Sequence, residues 1–415
     1  MNLLKNCLFI LISFFSCSIS AQKKVPQKKV VFIIVDGIAD DMLDKAEIPN
    51  LNRIKKDGAM LKAYVGGEKG GYSETPTISA VGYNSLLTGT WVNKHNVYDN
   101  DIKAPNYNYP TIFRLFRNQF PNKKMAVFST WEDNRTKLIG ENLDATGKIK
   151  MDFAFDGLEK DTSRFPHDNQ AKYIRKIDSL VAGKAASYIR ESAPDISWVY
   201  LEFSDDMGHR HGDSDILYKA ISFEDRLIGQ IYDSVKEREA KYGEDWLFVV
   251  TTDHGRTANN GKGHGGQSDR ERSTWIAINK PDINAYAKNN RVAVTDILPT
   301  MTDFLNLKVP AEIQKEIDGV DLLKKITAYH LKASLSSDNT LEVSWRTTQS
   351  SNEIGEVYIA DTNNFKNGGK DSYRLLGKVN LSNGKFTSKL KTPNSNIYKI
   401  VLKTKAGFLN TWIRK

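Results

Sequence analysis

The chain groups histidine and aspartate side chains in a pattern that suits metal-assisted hydrolysis. Four of its seven histidines fall in one short stretch: His209, His211, His254 and His264. Three aspartates follow apolar runs: Asp36 after VVFIIV, Asp205 after SWVYLEF and Asp253 after DWLFVV. Strands of an open α/β sheet end at a common edge, where such sheets bind their ligands. Carboxylates and imidazoles gathered there are typical zinc ligands, so the pattern predicts a two-metal hydrolase.

A polar segment supplies a candidate nucleophile. Residues 79–89, SAVGYNSLLTG, predict a helix that begins at Ser79 and stops at Gly89. A phosphate docked at that start would meet unpaired N–H groups and the positive end of the helix dipole. A helix-capping serine without any catalytic role would give the same local pattern, so this segment alone leaves both interpretations open.

Taken in order, the motifs resemble the alkaline phosphatase superfamily, and within it the nucleotide pyrophosphatase/phosphodiesterase (type I phosphodiesterase) branch. The motifs that carry the resemblance are Asp36, Ser79 followed by LLTG, DxxGHxxG at 205–212, TDHG at 252–255 and GHGG at 263–266. The segments WVNKHNV and DILPT fit the same branch. The resemblance spans residues 30–323 and leaves out the C-terminal part of the chain.

This resemblance implies two zinc ions per chain as cofactors. The implied ligand sets are Asp205, His209 and His264 for one ion, and Asp36, Asp253, His254 and Ser79 for the other. It also implies that Ser79 is the catalytic nucleophile. One ion would lower the pKa of the Ser79 hydroxyl, and the other would activate the water that releases the phosphoryl-enzyme.

The nucleophile region departs from the family pattern. Phosphodiesterases of this type usually carry a threonine nucleophile with an asparagine three residues later, whereas this chain has Ser79 and Gly82. The usual side-chain donor to phosphate is therefore missing, and Asn84 or the backbone N–H of Ala80 would have to replace it as a substrate contact. Thr77 would be the nucleophile if the motif were aligned two residues earlier, but counting back from LLTG favours Ser79.

The order of segments predicts two structural units. Strand-like and helical segments alternate through residues 22–325, which predicts an α/β domain with a mostly parallel sheet flanked by helices. Residues 328–415 alternate in short runs such as LEVSW and IYKIVLKT, which predict a C-terminal all-β sandwich. The positions of Trp345 and Tyr398 resemble a fibronectin type III module. Because every candidate catalytic residue precedes this module, catalysis is expected to be independent of it.

The first residues predict export. Residues 1–21 combine a basic start at Lys5, a short apolar core and small residues before Gln22, which is typical of a secretory signal peptide. The apolar core is too short for a transmembrane helix. Both cysteines, Cys7 and Cys17, lie in this segment, so the mature chain would contain no disulfide. We expect a secreted or periplasmic protein, with a lipid anchor at Cys17 as a minor alternative.

Charge and composition limit the classes of partner and substrate that are expected. The net charge of +9 is spread over lysine-rich stretches without interleaved aromatic residues, so no nucleic-acid-binding module is expected. The expected substrate is a small-molecule or glycan-linked phosphoester, with possible glycan contact through the β module.

Several functions stay open beside a secreted zinc phosphodiesterase or nucleotide pyrophosphatase. A phosphomonoesterase would need an arginine or a third metal near the motifs. A sulfatase would need a cysteine or serine followed by proline and arginine, which Ser79 lacks. A phosphoglycerate mutase would share the core, but export argues against it. The complete ligand set disfavours a catalytically degenerate glycan-binding protein.

Overall fold

The computed structural model describes residues 25–391 and 394–414, so the predicted signal peptide lies outside the described part of the chain. The central sheet contains β1 Lys28–Val35, β2 Ala59–Tyr64, β3 Met125–Ser129, β4 Phe153–Phe155, β5 Ile196–Leu201, β6 Asp245–Thr251, β7 Ser273–Ile278 and β8 Val292–Ala293. The helices are α1 Pro49–Asp57, α2 Ser79–Thr88, α3 Val92–His95, α4 Ile112–Gln119, α5 Lys172–Ser192, α6 Phe203–His211, α7 Asp215–Tyr242, α8 Ala285–Asn289, α9 Ile297–Phe304 and α10 Ala311–Gln314. Within the described residues, no helix has the length and apolar character needed to cross a membrane.

The central sheet is mostly parallel, as the sequence predicted. Its strand order is β4-β3-β5-β1-β6-β7-β2-β8, and β7 runs antiparallel to both of its neighbours. Strands β5, β1 and β6 are adjacent and parallel, so their carboxyl ends lie at one edge. Side chains of β1 alternate between two hydrophobic cores, with Phe32 in one and Ile33 in the other. An apolar run is needed here because helices cover both faces of the sheet.

Helix α2 has the predicted bounds. Ile78 precedes it in an extended conformation, and Gly89 ends it with a φ of 64°, in the left-handed region that favours glycine. All residues of α2 are buried. A Cβ atom on Gly82 would lie 2.6 Å from the carbonyl oxygen of Asp253, so the helix packs directly on that backbone. The asparagine that the family resemblance leads us to expect here would have no room.

In the described part of residues 328–414, seven strands form an antiparallel module, which confirms the predicted all-β unit. They are β9 Ala328–Leu335, β10 Thr340–Thr347, β11 Ile354–Ala360, β12 Arg374–Asn380, β13 Lys385–Lys389, β14 Ile397–Thr404 and β15 Gly407–Arg414. One sheet has the order β13-β10-β9 and the other β12-β11-β14-β15. Trp345 lies in the core and donates from Nε1 to the carbonyl of Leu381 at 2.8 Å. The fibronectin type III likeness stays a prediction.

A buried ion pair and a buried hydrogen bond join this module to the α/β domain. Lys94 in α3 is 0% exposed and donates to the Glu316 carbonyl at 2.7 Å, to the Asp318 carboxylate at 2.5 Å and to the side chain of Asn410 in β15 at 2.7 Å. Lys399 in β14 is equally buried and donates to the Glu316 carboxylate at 2.7 Å. The module therefore completes the packing around the helix that follows α2. The independence of catalysis from this module stays a prediction.

Candidate metal centre and active site

The six predicted histidine and aspartate ligands come together in two adjoining groups at the carboxyl edge of the sheet. The groups are Asp36, Asp253 and His254, and Asp205, His209 and His264. The first group follows the ends of the neighbouring strands β1 and β6. In the second group, Asp205 and His209 lie one turn apart on α6, which follows β5, and His264 lies in the loop after β6. Three adjacent parallel strands thus position most of the centre.

The first group is fully buried and lies against Ser79. Nε2 of His254 lies 3.3 Å from Oδ1 of Asp36 and 3.3 Å from Oδ2 of Asp253. Oγ of Ser79, the first residue of α2, lies 3.3 Å from the same nitrogen. The two carboxylate oxygens are buried without a hydrogen-bond donor. Because a buried carboxylate oxygen without a donor is unfavourable, a cation fits between these side chains.

The second group is more open to solvent. Nε2 of His209 lies 3.2 Å from Oδ2 of Asp205 and 3.0 Å from Nε2 of His264. Two imidazole nitrogens that face each other at this distance suit a shared metal ion, since both can offer lone pairs to it. The ring of His264 stacks on that of His254 with centroids 3.7 Å apart, so the two groups adjoin.

In the first group, one carboxylate oxygen of Asp36 and one of Asp253 accept hydrogen bonds from outside the group. The hydroxyls of Tyr83 and Tyr200 both donate to Oδ2 of Asp36, the latter at 2.7 Å. The backbone N–H of Gly37 donates to Oδ1 of Asp253 at 3.1 Å. Each carboxylate is therefore left with one oxygen that faces the other ligands. Contacts of this kind orient metal ligands.

Backbone carbonyl oxygens lie within hydrogen-bond distance of Nδ1 in two of the histidines. Nδ1 of His254 lies 2.9 Å from the carbonyl oxygen of Gly255, and Nδ1 of His264 lies 2.9 Å from that of Thr77. These contacts favour a proton on Nδ1 and leave Nε2 unprotonated, which is the form that binds metal. The described contacts therefore fit a metal-binding role for both groups.

Burial and mutual repulsion act against negative charge in the metal-free centre. Burial, followed by the charge of Asp205, raises the pKa of Asp36 to about 7. Burial, followed by the charge of Asp36, raises the pKa of Asp253 well above its usual value. Burial, followed by His264, lowers the pKa of His254. A bound cation would favour the ionised carboxylates and the neutral imidazole.

Arg256 was not among the predicted residues, yet it contacts this centre. It is 0% exposed, and its Nε donates to the carbonyl of Gly37 at 2.8 Å. Its Nη2 donates to the carbonyl of Asp205 at 2.9 Å and also to Oδ1 of the same residue. A sequence signal was present, since a basic residue directly follows the TDHG motif.

The hydroxyl of Thr77, the alternative nucleophile, is already engaged. It donates to the carbonyl of Gly266 at 2.8 Å and accepts from the N–H of Gly265 at 2.9 Å. These bonds fasten the segment before α2 to the loop that carries His264. The hydroxyl of Ser79 instead faces the first ligand group.

The two groups that were predicted to donate hydrogen bonds to the substrate are less accessible than expected. The N–H of Ala80 donates to the side chain of Asn100 at 3.0 Å, so this donor already has an acceptor. Asn84 is 4% exposed and lies five residues after Ser79, about 140° further around the helix. Their role as phosphate contacts stays a prediction.

The sheet and its flanking helices have the fold of the alkaline phosphatase superfamily, as the motifs predicted. A member of this superfamily from Vibrio parahaemolyticus shares the fold with a TM-score of 0.50 and 13% identity, covering 78% of this chain and 76% of that chain. Within the superfamily, the chain belongs to the type I phosphodiesterase / nucleotide pyrophosphatase family, whose model matches residues 30–385. The match extends past residue 323, into the C-terminal module.

Curated relatives are much longer than this chain. GPI ethanolamine phosphate transferase 2 of Schizosaccharomyces pombe is 26% identical over 338 residues, which cover 74% of this chain and 40% of that protein. A venom phosphodiesterase of Crotalus durissus collilineatus is 22% identical over 252 residues, which cover 58% of this chain and 28% of that protein. The chain thus spans less than half the length of these relatives.

Proposed function

We propose that this chain is a secreted, zinc-dependent hydrolase of phosphodiester or pyrophosphate bonds that acts through a phosphoryl-Ser79 intermediate. The observation that carries the proposal is the position of Ser79 at the start of α2, with Oγ 3.3 Å from Nε2 of His254 and beside the buried ligand group. Two zinc ions on the six predicted ligands would supply the positive charge that activates a hydroxyl or a water. Secretion rests on the sequence pattern of residues 1–21.

The chemistry requires two displacements at phosphorus. In the first, Ser79 Oγ loses its proton and forms a bond to phosphorus, while the bond to the leaving group breaks. In the second, water attacks the phosphoryl-serine and the hydroxyl is regenerated, which gives net retention at phosphorus. Tyr83 and Tyr200 keep Asp36 in place throughout. They remain protonated donors because burial raises their pKa well above the usual value.

Electrostatics favour a diester over a monoester substrate. A monoester dianion carries one more negative charge and needs an additional cation that can reach it. Arg256 does not meet this need, because it is fully buried and donates to Gly37 and Asp205. The sulfatase alternative still lacks the proline and arginine that would have to follow the nucleophile.

A transferase is the second candidate, favoured by the similarity to GPI ethanolamine phosphate transferase 2. The same phosphoryl-Ser79 intermediate would then pass to an alcohol instead of water. Turnover of a diester with and without added glycerol or ethanolamine separates the two functions. A transferase would form a new phosphodiester with the alcohol, whereas a hydrolase would release the monoester.

Substrate class and metal content provide the main test. The purified full-length chain should hydrolyse bis(p-nitrophenyl) phosphate faster than p-nitrophenyl phosphate or p-nitrophenyl sulfate. Elemental analysis should find two zinc ions per chain, and chelation should abolish turnover. A higher rate on the monoester would favour a phosphomonoesterase, and full activity of metal-free protein would contradict the proposal.

A pair of variants tests the nucleophile. Ser79→Ala should keep the fold and the zinc content while turnover falls by about three orders of magnitude or more, because the activated nucleophile is lost. Thr77→Ala is the matched control and should have a much smaller effect, since its carbonyl, which contacts His264, is retained. The opposite ranking of the two variants would assign the nucleophile to Thr77.

A further inference from the structure

The two ligand groups differ in what holds their carboxylates. Neutral donors hold Asp36 and Asp253: two tyrosine hydroxyls for the former and a backbone N–H for the latter. A cation holds Asp205, because Nη2 of Arg256 donates to its Oδ1. Oδ2 of Asp205 remains 3.2 Å from Nε2 of His209. One oxygen of Asp205 is thus committed to the guanidinium, and the other faces its partner ligand.

The fold is shaped to accept this guanidinium. A Cβ atom on Gly37 would lie 2.5 Å from Nη2 of Arg256, and one on Gly208 would lie 2.1 Å from its Cζ. Gly37 also adopts a φ of 69°, which other residues rarely adopt. Arg256 bonds the Gly37 carbonyl and Asp205 at the same time. A planar guanidinium can bridge these acceptors, whereas the single ammonium of lysine cannot match that geometry.

We propose that Arg256 is a positioning residue that gives the group of Asp205, His209 and His264 its affinity for metal. It does so by holding Oδ1 of Asp205, which leaves Oδ2 alone to bind the ion. The inference rests on the proposed two-metal function. Repulsion between the guanidinium and the metal opposes this effect, but the carboxylate lies between the two charges. Loss of contacts that orient metal ligands typically weakens binding about 10–100-fold.

The test is a calorimetric zinc titration of the full-length chain and two variants. Arg256→Lys keeps the charge but loses the bridge, and Arg256→Met removes both. In each variant one dissociation constant should rise about 10–100-fold, while the other stays unchanged. His209→Ala assigns the weakened site, because it removes a ligand of the second group alone. Arg270→Lys is the matched control, since Arg270 pairs with Asp41 and Asp213 on the nearby surface and should leave both constants unchanged.

Two results would overturn the inference: unchanged affinity at both sites, or equal weakening of both, which would indicate a general structural role. If neither variant folds, a crystal structure of the unmodified, zinc-loaded protein provides the test instead. We expect zinc on Oδ2 of Asp205 with Arg256 still on Oδ1, and zinc on both oxygens with Arg256 displaced would refute the inference. Failure of the two-metal function itself is distinguishable, because the unmodified protein would then bind no zinc at either group.

Discussion

Replacing Lys94 with methionine should destabilise the whole protein, because this side chain ties the two structural units together. Its ammonium is fully buried against Asp318, the carbonyl of Glu316 and the side chain of Asn410. Methionine has a similar length but no charge, so Asp318 would lose its cation while only 9% of its side chain is exposed. Breaking a buried pair in this way costs about 3–5 kcal/mol. An unfolding entropy of about 2.1 cal/mol/K per residue over 415 residues converts this into a midpoint about 3–6 °C lower.

Thermal denaturation of the metal-loaded full chain measures this shift, and Lys332→Met is the matched control. Lys332 pairs with Glu68 across the same two units at 3.0 Å, but the two side chains are 70% and 48% exposed. An exposed pair contributes about 0–1 kcal/mol, so the control midpoint should fall by no more than about 1 °C. Equal shifts in the two variants would refute the reasoning that burial makes the Lys94 network important.

Three further outcomes are expected. Gly82→Asn introduces the residue that the family resemblance predicts but should lower zinc content and turnover, because a side chain there collides with the Asp253 backbone; full zinc occupancy with faster turnover would contradict this. Truncation after Lys325 should lower the midpoint or the solubility, because Lys94 loses Asn410; a truncated chain with the native midpoint would show that the module is dispensable. In the metal-free protein, burial and repulsion raise the pKa of Asp36 from 3.8 to about 7, so its contribution to stability is present at low pH and is lost as the pH rises through that window. Zinc should therefore raise the midpoint more at about pH 8 than at about pH 5.5, and an equal or reversed difference would argue against binding at Asp36.

Most of the central sheet was predictable because its strands are continuous apolar runs. Helix α6, which carries Asp205, was not predicted. Its sequence FSDDMGHRH lacks a regular apolar period, and its first N–H groups are capped by residues distant in the chain. Asp178 accepts from the N–H of Phe203 at 2.9 Å, and Glu224 accepts from that of Ser204 at 2.8 Å. Caps supplied by other helices leave no local signal.

The candidate ligands were predictable because each lies in a short motif at the end of a strand or in the helix or loop that follows it. The residues that hold those ligands were not. Tyr83 lies on α2 and Tyr200 on β5, and they meet only at Asp36. Asn100 reaches the start of α2 from a loop 20 residues away. These contacts depend on the packing of separate elements, so the sequence alone could not assign their partners.

The stereochemistry of hydrolysis tests whether Ser79 forms a covalent intermediate. A phosphorothioate diester of known configuration would be hydrolysed by the zinc-loaded full chain in ¹⁸O-labelled water, and the configuration of the product would be determined by ³¹P NMR. Attack by Ser79 followed by attack by water predicts net retention at phosphorus, together with loss of the reaction in Ser79→Ala. Inversion would mean that water attacks the substrate directly, and would contradict a phosphoryl-Ser79 intermediate.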